Sequence, residues 1–380
     1  MDLAPLAPTM RLAERRLGDT LGRYTLTGVL GVGGMATVYK AVHRNGDKVA
    51  LKLLHPHFAT REDVRARFVQ EAYTANKVAH PGAVRVIDDD VAPDGSAFMV
   101  MDLLEGETLD AWQTRDGPML PAEAVFDVVH QVLDVLVHAH ARDIVHRDLK
   151  PENLHRASEG RVTVLDFGIA RVLDEATAVT RTRTGSLLGT PAFMPPEQAQ
   201  GRAERIDGRT DLWALGATAF TLLSGRYVHE AETVALLNIA SGTQEARAIG
   251  PLVPGLPPSL AAIVDKALKF EQADRWRSAR AMQEALEEAF AEVFGRALAT
   301  PQQAALRAAL PSAPLPSAPP ADPTEAAREE AATAIEPASS RTRTSTTGAG
   351  VVSAHPASNP PAAKGRARGW GVLALVALAG

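Results

Sequence analysis

The pattern of apolar and polar residues divides the chain into a strand-like first part and a helical second part. Residues 24–30 and 48–54 alternate as strands do, and the apolar runs 84–88 and 97–101 have the length of strands. Residues 65–78 instead carry apolar side chains at helical spacing. This order predicts a small antiparallel sheet accompanied by one helix.

Helical spacing dominates the following residues. An amphipathic helix is predicted over 121–140, an apolar helix begins at Asp211, and further helices cover 260–290. Two short apolar runs, 143–146 and 161–165, are predicted to be buried strands that end in polar residues. The predicted fold class is therefore α+β.

Four polar residues follow these two short runs and carry the candidate chemistry. Asp148, Lys150 and Asn153 come after the first run, and Asp166 ends the second, so we expect them to converge. Carboxylate and amide oxygens suit Mg²⁺, and an amine beside a carboxylate suits phosphoryl transfer. A polar loop with an Asp-Phe-Gly turn is the simpler interpretation. However, His-Arg-Asp, with Lys two and Asn five residues beyond its Asp, followed by Asp-Phe-Gly, rarely arises by chance.

On these motifs the sequence resembles the bacterial, eukaryotic-like Ser/Thr protein kinases, from about Tyr24 to about Phe290. The resemblance implies a bilobal kinase domain over residues 23–294. Its small lobe, about 23–102, holds an antiparallel sheet and one helix, and its large lobe, about 103–294, is mainly helical. ATP is expected to bind between the lobes.

The glycine-rich segment after the first strand is expected to be a hairpin lid over the nucleotide. Alone, such a segment is more often a turn, so the lid depends on the other motifs. Ala36 stands where the family has its third glycine, and alanine tolerates fewer backbone conformations. The lid residues predicted to bind ATP are Leu30, Gly31, Val32, Gly33, Gly34, Met35, Ala36, Thr37 and Val38.

The resemblance also assigns the remaining ATP-binding residues. Lys52 is expected to hold the α- and β-phosphates and to pair with Glu71 on the helix of the small lobe. Adenine is expected to bind backbone groups near Asp102 and Leu104 in the hinge between the lobes, with Met101 behind it.

Within the catalytic motif, Asp148 is expected to accept or orient the substrate hydroxyl, and Lys150 to neutralise charge on the transferred phosphate. Asn153 and Asp166 are expected to hold Mg²⁺, with Mn²⁺ as an alternative ion. Lysine at position 150 resembles Ser/Thr rather than Tyr kinases, so the expected substrates are protein Ser and Thr hydroxyls.

The threonine-rich stretch 171–190 matches the activation segment of the family. Phosphate added by the kinase itself, within a dimer, is expected to pair with Arg147 and to order the segment. The predicted phosphosites are Thr180, Thr182 and Thr184. An ordinary flexible loop is the alternative.

Four further residues are expected to support the site without taking part in chemistry. Thr190 is expected to bond near Asp148, and Glu197 to form a buried pair with Arg275. Asp211 lies at a predicted helix start, where a carboxylate can cap backbone donors, and the family uses it to brace the catalytic loop.

Composition limits the partners and the compartment. The net charge of −5 is too small to steer nucleic-acid binding, so no nucleic acid is predicted. The absence of cysteine fits a reducing cytoplasm. Residues 1–22 read as a flexible leader with a short helix and have no apolar segment of signal-peptide length, so the kinase domain is expected to be cytoplasmic.

The end of the chain changes composition twice. Residues 295–363 are rich in Ala, Pro, Ser and Thr and read as a disordered linker. Residues 364–380 combine a basic cluster, Trp370 and an apolar run, as at the cytoplasmic entry of a transmembrane helix. The run is shorter than a span, so we expect either a truncated single-pass kinase anchored in the inner membrane or an end that only touches a membrane.

Two other functions fit parts of the pattern. A pseudokinase scaffold at the membrane would keep the fold without turnover, but Lys52, Asp148, Asn153 and Asp166 are all present. A small-molecule phosphotransferase would use the same set of Asp, Asn and Asp side chains, whereas the activation segment favours protein substrates.

Two further predictions concern polar residues outside this site. The aspartates 88–90 are predicted to form a solvated loop. The histidines of the helix 121–140 are predicted to be packing or surface residues rather than metal ligands.

Overall fold

The structure is a computed structural model that describes residues 6–167 and 191–298. The chain divides into two compact units, residues 1–313 and 314–380, and all described residues belong to the first. The predictions that fall outside the described residues concern Thr180, Thr182, Thr184, Thr190, most of the linker and the segment 364–380.

The small lobe is built on one antiparallel sheet of six strands in the order β1-β2-β3-β4-β6-β5. Its helices are α1 (Leu6–Glu14), α2 (Pro56–Ala59) and α3 (Glu62–Val78). Its strands are β1 (Thr20–Leu21), β2 (Tyr24–Val32), β3 (Ala36–His43), β4 (Lys48–Leu54), β5 (Val86–Val91) and β6 (Ala97–Asp102). The predicted small antiparallel sheet with one long helix is confirmed.

Alternation along β4 decides which side chains meet the helix. Leu51 and Leu53 are buried in an apolar cluster on one face of the sheet. Ala50 and Leu54 are buried in a second cluster, which includes residues of α3. Since side chains alternate along a strand, Lys52 shares the face of Ala50 and Leu54 and is directed toward α3.

The amino-terminal leader contains the short helix predicted within it, and that helix is packed against the small lobe rather than loose. Helix α1 lies against β2, and Ala13 in its last turn is buried in the small-lobe cluster. The Tyr39 hydroxyl donates to the Ala13 carbonyl at 3.3 Å, and Arg16 pairs with Asp94 at 3.0 Å. Burial of Ala13, together with these two contacts, fixes the helix against the small lobe.

The three aspartates 88–90 form part of β5 and not the predicted loop. β5 is an edge strand that pairs only with β6, so one side of it remains open to solvent. The Tyr24 hydroxyl donates to the Asp88 carboxylate at 2.9 Å. Pairing with the buried strand β6 therefore outweighs the low strand propensity of aspartate.

The large lobe is mainly helical and contains a second sheet of three strands. Its strands are β7 (Glu107–Thr108), β8 (Leu154–Arg156) and β9 (Val162–Val164). Its helices are α4 (Leu109–Asp116), α5 (Ala122–His140), α6 (Pro196–Ala199), α7 (Gly208–Ser224), α8 (Val234–Thr243), α9 (Pro258–Ala267) and α10 (Ala279–Phe294). The fold is thus the expected bilobal α+β arrangement.

Helix α7 forms the centre of the large lobe. All its residues from Thr210 to Ser224 are buried, and α5, α9 and α10 pack against it. Asp207 caps the helix by accepting a hydrogen bond from the Arg209 N–H, and Gly225 ends it at φ 68°. The rigid helix therefore offers a fixed support for the loop that follows α5.

The segment 143–146 is a loop and not the predicted buried strand. Asp143 has φ 57°, and the Ile144 N–H donates back to the Ala139 carbonyl at the end of α5. The next backbone donors, His146 N–H and Arg147 N–H, bond to the Asp211 carboxylate instead of a neighbouring strand. Side-chain acceptors thus replace the strand ladder.

A buried histidine in the large lobe leads to a stability prediction. His229 stacks on Trp213 with ring centroids 6.5 Å apart, and its Nε2 is buried with no hydrogen-bond partner among the described residues. Burial lowers the pKa of His229, and Arg247 acts in the same direction. The unfolded chain takes up this proton near pH 6.5, so the stability tied to neutral His229 is present above about pH 6.5 and is lost as the pH falls through the folded pKa.

His229→Phe is expected to raise the free energy of unfolding by about 1 kcal/mol at neutral pH, since it removes an unsatisfied buried nitrogen and keeps the aromatic contact. The difference in unfolding free energy between His229→Phe and the wild type should be larger at about pH 5.5, because only the wild type has a buried histidine that loses stability in acid. Denaturant unfolding at both pH values measures it, with the exposed His57→Phe as the control. An equal acid sensitivity of wild type and His229→Phe would contradict the assignment.

Candidate active site

The loop between α5 and β8 brings three of the predicted catalytic residues together. The Lys150 Nζ lies 3.0 Å from Asp148 Oδ2. Asn153 Nδ2 donates to the same carboxylate oxygen at 3.0 Å and to the Asp148 carbonyl at 2.8 Å. Because its amide nitrogen is held in this way, the amide oxygen of Asn153 is fixed in orientation and can serve as a cation ligand.

Asp211 braces this loop from the buried helix α7. Its fully buried carboxylate accepts hydrogen bonds from His146 N–H at 2.9 Å and Arg147 N–H at 2.8 Å. The bracing expected from the resemblance is therefore present, whereas capping of its own helix is not its role, since Asp207 is the cap. Arg147 has φ 67°, a conformation that the two Asp211 hydrogen bonds help to hold.

Sequence reasoning missed His140 as part of this brace. Its Nε2 lies 2.8 Å from Asp211 Oδ2, so the last residue of α5 reaches the carboxylate that holds the catalytic loop. The signal was its place at the end of α5, just before the loop. The other two histidines of α5 have separate partners, Glu287 for His130 and the Asp134 carbonyl for His138.

Lys52 joins two carboxylates across the cleft. Its Nζ is 2.9 Å from Glu71 Oε1 on α3 and 2.9 Å from Asp166 Oδ1 in the large lobe. Burial alone lowers the pKa of Lys52, but Asp166 and Glu71 outweigh it and raise the pKa above its usual value. Lys52 is therefore a permanent positive charge between the lobes, suited to phosphate oxygens.

Asp166 and the catalytic loop are fixed to each other. The Leu165 N–H donates to the Asn153 carbonyl at 2.8 Å, and His146 Nε2 lies 2.8 Å from the Leu165 carbonyl. Asp166 itself has φ 46°, a strained conformation for a residue with a side chain. These contacts hold the two predicted metal ligands, Asn153 and Asp166, on adjoining segments, and their oxygen donors fit Mg²⁺.

The predicted lid is the hairpin of β2 and β3. Gly33 N–H donates to the Ala36 carbonyl at 2.9 Å and closes its tip. Ala36 begins β3 opposite Leu54, and its side chain is buried in the second cluster of the small lobe, the one that contains Ala50 and Leu54. Since Ala36 has no positive φ, the position does not need a glycine. Contact of the lid with ATP stays a prediction.

The hinge residue Asp102 ends β6. Its N–H donates to the Arg85 carbonyl at 3.1 Å, and its carboxylate pairs with the Arg85 guanidinium at 2.9 Å. The side chain is thus engaged with Arg85, and only the backbone near Asp102 and Leu104 is a candidate for adenine binding. Met101 is buried in the cluster beside the cleft, as expected.

Glu197 and Arg275 form the predicted buried pair. Arg275 donates through both terminal nitrogens to the two Glu197 oxygens, at 2.9 and 2.8 Å. Next to Glu197, Gln198 donates to the Arg147 carbonyl at 3.1 Å. Residues 197 and 198 are therefore tied both to the segment that carries Arg275 and, through Gln198, to the catalytic loop.

A cluster of His80, Asp134 and His138 resembles a metal site in its composition. However, the Gly82 N–H donates to His80 Nδ1 at 3.0 Å, which places the ring proton on Nε2, facing Asp134 at 3.1 Å. A metal ligand needs a lone pair at that nitrogen. The hydrogen bonds thus define a link between the end of α3 and α5 rather than a ligand set.

The constellation of Lys52, Glu71, Asp148, Asn153 and Asp166 in a cleft between two lobes defines a nucleotide-dependent phosphotransferase site of the protein-kinase class. A protein kinase domain model matches residues 24–290, more than half of the sequence. The chain belongs to the protein kinase family.

Its relatives include bacterial serine/threonine-protein kinases. Pkn1 of Myxococcus xanthus is 37% identical over 291 residues, which cover 75% of this chain and 41% of that protein. PrkC of Bacillus subtilis is 35% identical over 277 residues, which cover 71% of this chain and 41% of that protein. The chain thus spans about two fifths of the length of these curated relatives.

Solved structures agree with this relationship. The crystal structure of the PknI kinase domain of Mycobacterium tuberculosis matches with a TM-score of 0.56 at 28% identity, and covers 72% of this chain and 98% of that chain. Among the described residues, no helix has both the length and the apolar character to cross a bilayer.

Proposed function

We propose that this chain acts as a serine/threonine protein kinase in bacterial signal transduction, transferring the γ-phosphate of MgATP to hydroxyls of proteins. One observation carries the proposal: Lys52 is paired with both Glu71 and Asp166, while the segment that carries Asp166 is hydrogen-bonded to the Asp148, Lys150 and Asn153 loop. Phosphate-binding and hydroxyl-activating groups therefore belong to one connected network.

The charges and distances support a direct transfer. The acceptor oxygen forms a bond to the γ-phosphorus as the bond to the bridging oxygen breaks, and ADP leaves. Asp148 orients the hydroxyl and accepts its proton, and Lys150, 3.0 Å from that carboxylate, offsets negative charge on the transferred group. Positioning and charge complementarity are sufficient, so no covalent enzyme intermediate is required.

The proposed transfer uses a divalent cation, and two residues are candidates for binding it. Asn153 and Asp166 are the candidates for holding Mg²⁺, or Mn²⁺, since both supply oxygen donors on segments tied together by backbone hydrogen bonds. A bound cation would neutralise charge on the phosphates.

The alternatives differ in acceptor and turnover. A pseudokinase scaffold would bind ATP without transfer, and a small-molecule phosphotransferase would modify aminoglycosides or simple alcohols. The test offers labelled MgATP with a generic protein, an aminoglycoside and glycerol in parallel. We expect label on protein Ser and Thr only; label on the small acceptors alone, or on none, overturns the proposal.

Autophosphorylation is a separate expectation, and it concerns Thr180, Thr182 and Thr184. Incubation with MgATP, proteolysis and mass spectrometry should find phosphate within residues 177–190, and Arg147→Ala should reduce the activity gained through it, because a guanidinium can pair with a phosphate. Arg202→Ala, an exposed arginine in the large lobe, is the control. Absence of phosphate from 177–190 in active protein would contradict the expectation.

The proposal extends to two further partners. A second copy of the chain is the expected substrate in autophosphorylation, and residues 364–380 are expected to contact a membrane, because a basic cluster there precedes Trp370 and an apolar run. Co-sedimentation of the full chain with anionic lipid vesicles, compared with residues 1–363, tests the second point, and equal recovery would exclude it.

A further inference from the structure

The tip of the glycine-rich lid is joined to the residue that follows β4, His55. The ladder between β3 and β4 ends where Ala36 faces Leu54. One residue later, the His55 N–H donates to the Met35 carbonyl at 2.8 Å, beyond the last pair of the ladder. The backbone of His55 therefore holds the lid just past its two exposed glycines, Gly33 and Gly34.

The side chain of His55 makes a second connection to the lid. Its Nε2 lies 3.1 Å from Thr37 Oγ1, and Thr37 is only 4% exposed, so water does not readily replace this contact. Burial lowers the pKa of His55, and His57 adds to this, while a hydrogen bond to the Gly34 backbone opposes it. The ring is therefore neutral at neutral pH and shares a hydrogen bond with the Thr37 hydroxyl through Nε2.

We propose that His55 is a positioning residue for ATP, which fixes the lid relative to the strand that carries Lys52. His55 follows Lys52 by three residues, just after the end of β4. One short segment therefore positions both the lid and Lys52, the two elements expected to bind phosphate. Glycines leave the lid backbone free to move. The two contacts of His55 limit that freedom before ATP binds, which lowers the entropy lost on binding.

The proposal rests on the proposed kinase function and makes a distinct kinetic claim. Asp148 and Lys150, which act on the transferred group, lie in the large lobe, and His55 contacts neither of them directly. Loss of the His55 ring should therefore weaken ATP binding and leave turnover at saturating ATP largely intact. A purely structural role would instead lower the thermal stability and the apparent kcat while leaving the KM for MgATP unchanged.

The test compares four variants of the full chain in steady-state kinetics, with ATP as the varied substrate. His55→Leu and Thr37→Val each remove one partner of the contact at similar volume, and the double variant removes both. Thr37→Ser keeps the hydroxyl. The matched control is Thr60→Val, which makes the same change as Thr37→Val at an exposed threonine. Thermal unfolding is followed for each protein.

We expect His55→Leu and Thr37→Val to raise the KM for MgATP about three- to tenfold, with kcat within about twofold of wild type. The double variant should resemble the single ones because they break the same contact. Thr37→Ser should stay closer to wild type than Thr37→Val does. If His55→Leu does not fold, His55→Asn, whose shorter side chain has no atom at the Nε2 position, takes its place.

Three results would overturn the proposal: an unchanged KM in Thr37→Val and His55→Leu, an equal rise in Thr60→Val, or a loss of kcat without a change in KM. An inactive wild type would refute the kinase function itself, whereas an active wild type with unaltered variants would refute only the role of His55.

Discussion

Asp148→Asn is expected to lower kcat about 10²–10⁴-fold while the affinity for MgATP stays close to that of wild type. Asparagine preserves the shape of the side chain and an acceptor oxygen, so the hydrogen bond from Asn153 can remain. It has no charge, so it cannot take up the hydroxyl proton, and it loses the 3.0 Å ion pair with Lys150. Phosphate transfer at saturating ATP, together with nucleotide binding by calorimetry, measures both quantities.

The matched control is Asp143→Asn, the same chemical change five residues earlier in the same loop. Asp143 is exposed and has φ 57°, a conformation that asparagine also adopts readily. We expect its kcat to remain within about twofold of wild type. A similar loss in both variants would show that the loop, and not the Asp148 carboxylate, determines the rate.

Arg275→Met is expected to cost about 3–5 kcal/mol of unfolding free energy. The side chains of Arg275 and Glu197 are 0% and 3% exposed, and Arg275 also donates to the backbone carbonyls of Lys269 and Phe270. Without the guanidinium, the Glu197 carboxylate stays buried, and its remaining donors in the described part of the chain are Thr210 and Gln272. Chemical denaturation with the wild type as reference gives the loss.

Arg296→Met provides the surface counterpart. Arg296 pairs with Glu123 at 2.7 Å, but both side chains are nearly half exposed, so this loss should stay below about 1 kcal/mol. The two variants separate the effect of burial, since each removes one arginine from its carboxylate partners, which for Arg296 also include Asp127 at 3.5 Å. Equal losses in the two variants would contradict the assigned importance of the buried pair.

The grouping of the candidate catalytic residues could be predicted from sequence because their chemistry is concentrated in short stretches. Asp148, Lys150 and Asn153 lie within six residues, and the structure brings them together with Asp166. The Lys52 and Glu71 pair needed the resemblance as well, since alternation in β4 indicates only the face on which Lys52 lies.

Tertiary contacts explain what sequence reasoning missed. The position of Asp211 near the start of its helix predicted that it caps that helix. Its carboxylate oxygens instead accept hydrogen bonds from backbone N–H groups 64 and 65 residues earlier in the chain. His140 takes part in the same brace through a contact 71 residues away. Pairing with β6 likewise turned the aspartates 88–90 into a strand. No local pattern encodes these partners, so they become visible only when the elements are packed.

The most direct test of the central claim is incorporation of the γ-phosphate of ATP by the full chain, read by intact mass with a generic protein acceptor present. We expect the wild type to add phosphate to itself and to the acceptor only when a divalent cation is supplied, and Asp148→Asn to add almost none. A folded wild type that binds ATP but transfers no phosphate to any protein would contradict it.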